Sequence, residues 1–239
     1  MTLLELHGVA KRYREGQLER VVLREVSLRI DAGELAMVWG VRGAGRSTLL
    51  RVAAGIEAPD EGVVRFEGRE LSGHGGDVLG AGIGYCQKLL RGGSQLALEV
   101  VTMPLLAAGV SPACARTRAC EALERAGAPG CATLRAASLD TAETVRVALA
   151  RVLAHDPRLV VIDDPIQGVD LFERDGILAL LRSLTGEGVA VLASTTDATG
   201  LAGADRTLTL SEGELRGPPQ QQLAPVLALR RPAGWRASA

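Results

Sequence analysis

Aromatic side chains are scarce in this 239-residue chain, at 3% of the residues. Few platforms for stacking bases are therefore available. The balance of 27 Lys+Arg against 28 Asp+Glu gives a net charge of −1, without the basic face that a nucleic-acid binder carries. No nucleic-acid partner is expected. Lysine is scarcer still: Lys11 and Lys88 are the only two, so nearly all positive charge is guanidinium. No stretch reaches the roughly 18 consecutive apolar residues of a membrane-spanning helix. The segment Met1-Thr2-Leu3-Leu4-Glu5-Leu6-His7 lacks both the basic start and the apolar run of a secretory signal. The cysteines Cys86, Cys114, Cys120 and Cys131 form no Cys-x-x-Cys pair and have no histidine at metal-ligand spacing. Reduced, partly buried thiols in a cytosolic protein are expected, not a disulfide framework.

What is present is an ordinary globular composition, 47% hydrophobic and 23% charged, at a length common for one α/β domain. Residues 21–30 alternate apolar and polar, the pattern of a half-buried antiparallel strand, and Asp31-Ala32-Gly33 makes a turn. Residues 35–39, 63–66, 83–85, 159–162 and 189–193 are further strand candidates. The last two are wholly apolar, as central strands covered on both faces are. Between about 89 and 155 the sequence is rich in Ala, Leu and Arg and reads as helical, which predicts a helical subdomain inserted into an α/β core. From 217 to 239 the prolines and a Gln run predict a loosely ordered tail. Arg230-Arg231 and Trp235 in that tail fit a solvated extension or a membrane-surface contact. His7, His74 and His155 fall at no motif.

Gly40-Val41-Arg42-Gly43-Ala44-Gly45-Arg46-Ser47-Thr48 has the spacing of a P-loop, G-x-x-x-x-G-K-[ST], with Arg46 in the place of the lysine. Its glycines let backbone N–H groups turn inward around phosphates, and the helix predicted from Ser47 adds its positive end. The flanking strand and helix are the context that such a loop needs. Ser47 stands where a hydroxyl would ligand Mg²⁺. A guanidinium is longer and planar, less able than an ammonium to act as a point charge between two phosphates. Downstream, Leu159-Val160-Val161-Ile162-Asp163-Asp164-Pro165 reads as a Walker B strand, with Asp163 at its end to reach Mg²⁺ through water.

With these motifs in this order, residues 3–215 resemble the ATP-binding subunit of an ABC transporter, most closely the lipoprotein-release, macrolide-export and cell-division group. The stretch Leu96-Ala97-Leu98-Glu99-Val100-Val101-Thr102-Met103-Pro104-Leu105-Leu106 resembles that group's LTALENVMLPLL segment. The resemblance implies a P-loop NTPase fold: a RecA-like α/β core, an antiparallel β subdomain and a helical subdomain, together spanning 1–216. It implies ATP and Mg²⁺ as cofactors. It implies a membrane permease and a second ATP-binding subunit as partners, in a homo- or heterodimer held peripherally at the inner face of the membrane. Tyr13 matches the aromatic that stacks on adenine, Gln87 the Q-loop glutamine that senses Mg²⁺ and the permease, and Gly168-Val169-Asp170 the D-loop. Read alone, Tyr13 also fits a packing aromatic and Gln87 a surface amide.

Departures from the family's pattern cluster where chemistry is done. The LSGGQ signature is replaced by Leu139-Asp140-Thr141-Ala142-Glu143, located by the matching Arg146-Val147-Ala148-Leu149-Ala150-Arg151. In the family this segment clamps the partner's γ-phosphate, and Asp140 sets a carboxylate at that anion site. Thr141 and Ala142 add side chains there. Yet Asp140-x-x-Glu143 is a good capping box, so the helix is expected to start in place. The general base, usually Glu, is Asp164, the switch histidine is Thr196, and Val41-Arg42 replaces a small polar pair. Together these predict a nucleotide-binding subunit with impaired hydrolysis, the alternative being a fully active ATPase motor. An ABC protein of DNA repair or translation would need a coiled-coil insertion or tandem domains, and neither is visible.

Overall fold

A computed structural model describes residues 1–16, 18–73, 81–86 and 94–217. Gln87 and the Pro/Gln-rich stretch from 218 on lie outside the described residues.

Two sheets organise the chain. The first is antiparallel, in the order β2-β1-β4-β5, from β1 (Thr2–Glu15), β2 (Leu18–Asp31), β4 (Glu61–Phe66) and β5 (Arg69–Glu70). β2 alternates from Val26 to Ile30 as its sequence predicts, with Val26, Leu28 and Ile30 inward. Between the buried Leu23 and Val26 both Arg24 and Glu25 are exposed, Glu25 with φ 46, which breaks the expected alternation there. The second sheet has six strands. β3 (Leu35–Trp39), β6 (Ile83–Cys86), β7 (Leu159–Ile162), β8 (Ala190–Thr195) and β9 (Arg206–Ser211) run parallel, and β10 (Glu214–Arg216) pairs antiparallel at one edge, in the order β10-β9-β3-β8-β7-β6.

The period of a strand splits the core in two. Leu35, Met37, Val160, Ile162, Val191 and Ala193 point to one face of the six-stranded sheet, toward a cluster built with the helices α2 (Ala97–Ala107), α3 (Pro112–Arg125), α4 (Thr141–Leu153) and α5 (Leu171–Gly186). Their neighbours Ala36, Val38, Leu159, Val161, Ala190 and Leu192 point the other way. There they meet α1 (Arg46–Ala53) and the inner face of the antiparallel sheet. A strand buried on both faces needs no polar alternation, so β7 and β8 read as unbroken apolar runs. α1 is the wedge between the sheets. Its Leu49, Leu50 and Val52 are fully buried, each worth about 1.5–3 kcal/mol relative to exposure.

Four strands, β1, β5, β9 and β10, stand outside the sequence expectations. β1 carries an extra residue between Leu6 and Val9, and β2 carries one between Leu23 and Val26 opposite Lys11 and Val9, so no period-2 pattern survives over the length of β1. β9 has a regular Thr-Leu-Thr-Leu alternation, with Leu208 and Leu210 inward, a signal sufficient to mark it.

At the other edge α4 lies so close to β6 that a methyl on Gly84 would overlap the Val152 Cγ1 group and touch Pro157 Cβ at 3.4 Å. Val152 is β-branched and cannot swing aside. Gly84→Ala is therefore expected to lower stability by about 1–3 kcal/mol, read as a fall in the urea midpoint at unchanged slope. An unchanged midpoint would contradict this packing.

Candidate functional site

The glycine-rich loop joins the end of β3 to the start of α1. Gly45 caps the helix with φ 102, and Gly43 has φ 85, both in the left-handed region that side chains avoid. A Cβ on Gly45 would also stand 2.8 Å from the Val22 carbonyl oxygen of β2. No acidic residue occupies the first turn of α1, so its positive end is not neutralised there. The loop borders a cavity of about 680 Å³ lined by Tyr13, Gly43, Gly45, Arg46, Ser47, Thr48, Asp163 and Asp164, along with Arg20, Arg42, Arg51 and Tyr85. Gly40 closes the loop's base, its N–H donating to the Thr195 carbonyl at 3.2 Å.

Within the cavity Ser47 Oγ donates to Asp163 Oδ2 at 2.5 Å, and Ser194 Oγ donates to Oδ1 at 2.5 Å. A hydroxyl and a carboxylate side by side form a hard oxygen set of the kind Mg²⁺ accepts, provided phosphate and water complete its shell. The described residues contain no cluster of three or more His, Cys, Asp or Glu that would hold a metal unaided. Burial and the Asp163 charge push the Tyr85 hydroxyl up to about 12, so it remains a neutral donor facing the cavity.

Three of the substituted positions turn out to be one network. Arg46 Nη1 lies 3.2 Å from Asp164 Oδ2, in an ion pair whose side chains are only 11% and 8% exposed. Thr196 Oγ1 donates to the same oxygen at 3.2 Å. Ser194 Oγ accepts the Asp164 N–H at 3.2 Å and stands 3.5 Å from Arg46 Nη1. Asp164 adopts φ 47, and its Oδ1 is buried without a hydrogen-bond partner. A left-handed non-glycine residue with an orphaned oxygen marks a strained position. The longer cation and the shorter carboxylate meet each other inside the site.

Tyr13 is 37% exposed at the cavity wall, its hydroxyl 3.3 Å from Thr48 Oγ1 and accepting from Arg51 Nη2 at 3.2 Å. Asp140 is the N-cap of α4: it accepts from the Glu143 N–H at 2.8 Å, and Glu143 Oε2 accepts from the Asp140 N–H at 2.9 Å. Thr141 is exposed, close to Gly168, whereas Ala142 buries its methyl in the helical core. None of these four residues lines the loop cavity. Ser194 and Arg20 carry no sequence motif of their own. Ser194 could have been found as the first polar residue of an otherwise apolar strand. Arg20 could not, because β2 meets the loop only in three dimensions. The thiols of Cys86, Cys114, Cys120 and Cys131 are free, and burial raises those of Cys86 and Cys131 to about 12 and about 11.

A parallel sheet whose strand runs through a glycine loop into a buried helix, with an aspartate at the end of a neighbouring strand, defines a P-loop NTPase. Comparison with known proteins narrows the class. The ABC transporter family model matches residues 23–167. The chain is 34% identical to the lipoprotein-releasing system ATP-binding protein LolD of Chromohalobacter salexigens, over 89% of this chain and 92% of that protein. It is 30% identical to the macrolide export ATP-binding/permease protein MacB of Nitrobacter winogradskyi, over 99% of this chain but only 37% of MacB's length. The dimeric structure of the bacterial ABC transporter cassette MJ0796 superposes with a TM-score of 0.81 at 28% identity, covering 90% of this chain and 97% of that one. A post-hydrolysis structure of MJ0796 bound to ADP and Pi gives a TM-score of 0.80 at the same identity. This chain belongs to the ABC transporter family, as an ATP-binding cassette.

Proposed function

We propose that this chain is the cytosolic subunit of an ABC transporter that binds Mg-ATP, docks a separate membrane permease, pairs with a second cassette and hydrolyses ATP poorly. The observation that carries the last point is the buried Arg46–Asp164 ion pair, which engages two positions of the catalytic machinery with each other. Residues 1–216 form the cassette and 217–239 a tail. The glycine loop from Gly40 to Gly45, with Arg46, Ser47 and Thr48, borders the phosphates. Tyr13 faces the adenine, Ser47 and Asp163 hold Mg²⁺, and Gln87 is assigned the role of its sensor. Bound Mg²⁺ would neutralise charge on the phosphate oxygens. Asp164 and Thr196 stand at the base and switch positions. The segment from Asp140 to Glu143 faces a second cassette, in a homo- or heterodimer.

Permease docking is supported by the relatives: MacB is by name an ATP-binding/permease protein, of which this chain matches little more than a third. It is supported also by the surface of α2 and α3. Met103 and Leu106 are exposed there and, with Leu98, Thr102 and Pro112, line a groove of about 330 Å³. No helix among the described residues is long and apolar enough to cross a membrane. In this reading the permease provides the attachment to the membrane's inner face.

Titration calorimetry with Mg-ATP tests the reading at its base. Saturable binding is expected, because the glycine cradle, Ser47 and Asp163 are in place. No heat of binding at millimolar ATP would overturn it.

A further inference from the structure

We infer that Arg20 and Arg42, not the P-loop cation Arg46, receive the phosphate charge of a nucleotide in this cavity. The inference rests on the nucleotide-binding reading above and concerns which side chains do the work. Arg20, Arg42, Arg46 and Arg51 line the cavity. Arg46 is committed to Asp164 at 3.2 Å in a pair shielded from water. If it turned toward a phosphate it would leave Asp164 Oδ2 with the Thr196 hydroxyl alone, beside an Oδ1 already without a partner. A buried carboxylate stripped of its cation opposes that exchange. Arg51 is committed as well: its Nε lies 3.1 Å from Glu57 Oε2, and its Nη2 donates to the Tyr13 hydroxyl.

Two guanidiniums are left without a carboxylate among the described residues. Arg42 stands exposed inside the loop itself, with neither an ion pair nor a hydrogen bond among the described residues. Arg20 reaches over from β2, and its Nη2 donates to the Gly43 carbonyl at 3.4 Å, which holds it across the loop. A planar guanidinium can grip phosphate oxygens in pairs, so two such groups at the rim replace in geometry what one lysine does from within. Their exposure makes the attraction sensitive to salt, unlike that of a buried cation.

The test is calorimetry on the full chain with Mg-ATP, adenosine and inorganic tripolyphosphate, at low and at moderate salt, for wild type, Arg20→Gln/Arg42→Gln and Arg46→Gln. The double variant is expected to lose ATP affinity on the order of tenfold for each arginine, to lose tripolyphosphate binding in parallel and to flatten the salt dependence. Adenosine affinity should not change, which separates loss of phosphate contacts from loss of fold. Equal ATP affinity in wild type and the double variant overturns the inference, as does a larger loss in Arg46→Gln at unchanged adenosine affinity, which shows that the variant is still folded. If wild type binds tripolyphosphate through these arginines but not ATP, the nucleotide reading fails, and the assignment of phosphate charge to Arg20 and Arg42 stands for a polyphosphate ligand instead. If it binds neither, both fail.

Discussion

Arg46→Met is expected to lower the free energy of unfolding by about 3–5 kcal/mol, the cost of leaving a buried charge without its partner. The two side chains are 11% and 8% exposed at the cavity wall, so water replaces the lost guanidinium only in part. Asp164 has no reserve either, since its Oδ1 accepts no hydrogen bond. In a chain of this size each kcal/mol corresponds to roughly 2–4 °C, which makes the expected fall in melting temperature roughly 6–20 °C. Adding Asp164→Asn should restore most of it, because a buried ion pair is worth little against a neutral replacement of both groups. Melts of wild type, both single variants and the double variant form a cycle whose coupling term isolates the pair. A coupling below about 0.5 kcal/mol would show that the two groups do not depend on each other.

The second large effect is on turnover. By itself the chain is expected to hydrolyse ATP near background, and Arg46→Lys/Asp164→Glu/Thr196→His/Asp140→Ser to gain about a hundredfold or more. A base must have a lone pair free for the proton it takes. Asp164 Oδ2 instead faces Arg46 Nη1 and the Thr196 hydroxyl, each at 3.2 Å, and Oδ1, though it has no partner, is buried away from the water it would have to activate. Glutamate extends the carboxylate by one methylene, while lysine removes the planar fork that engages it. Serine at 140 removes the carboxylate but still caps α4, so the gain would not come at the expense of the helix start. Charge stabilisation on the transferring phosphoryl group is the larger part of such catalysis, so the cation and the carboxylate must change together. With an intact partner cassette, removing the partner's Walker B glutamate should abolish the activity of the complex. If wild type alone already turns over as fast as the quadruple variant, the chain is a working motor and impaired hydrolysis is the wrong reading.

The sequence by itself determined the parts whose signals are local. Apolar runs at 159–162 and 189–193 mark central strands, because covering both faces of a parallel strand leaves no place for polar residues. Gly43, Gly45 and Ser47 mark the loop, because only glycine accepts the left-handed turns at φ 85 and 102. Asp140 and Glu143 mark the start of α4 by their spacing. β1 was not legible, since register shifts destroy the alternation from which a strand is read.

The electrostatic arrangement of the site belongs to the tertiary structure. Residues 46, 164 and 196 read as separate departures along the chain, and only the pairing of β3 and β7 on either side of β8 brings their side chains to one oxygen. The Arg46 substitution reads as a weakened phosphate contact until Asp164 is seen to occupy the guanidinium. Arg20 joins the loop only because β2 of the other sheet passes over it. Periodicity and capping act within a few residues, whereas a charge interacts with whatever the fold sets beside it.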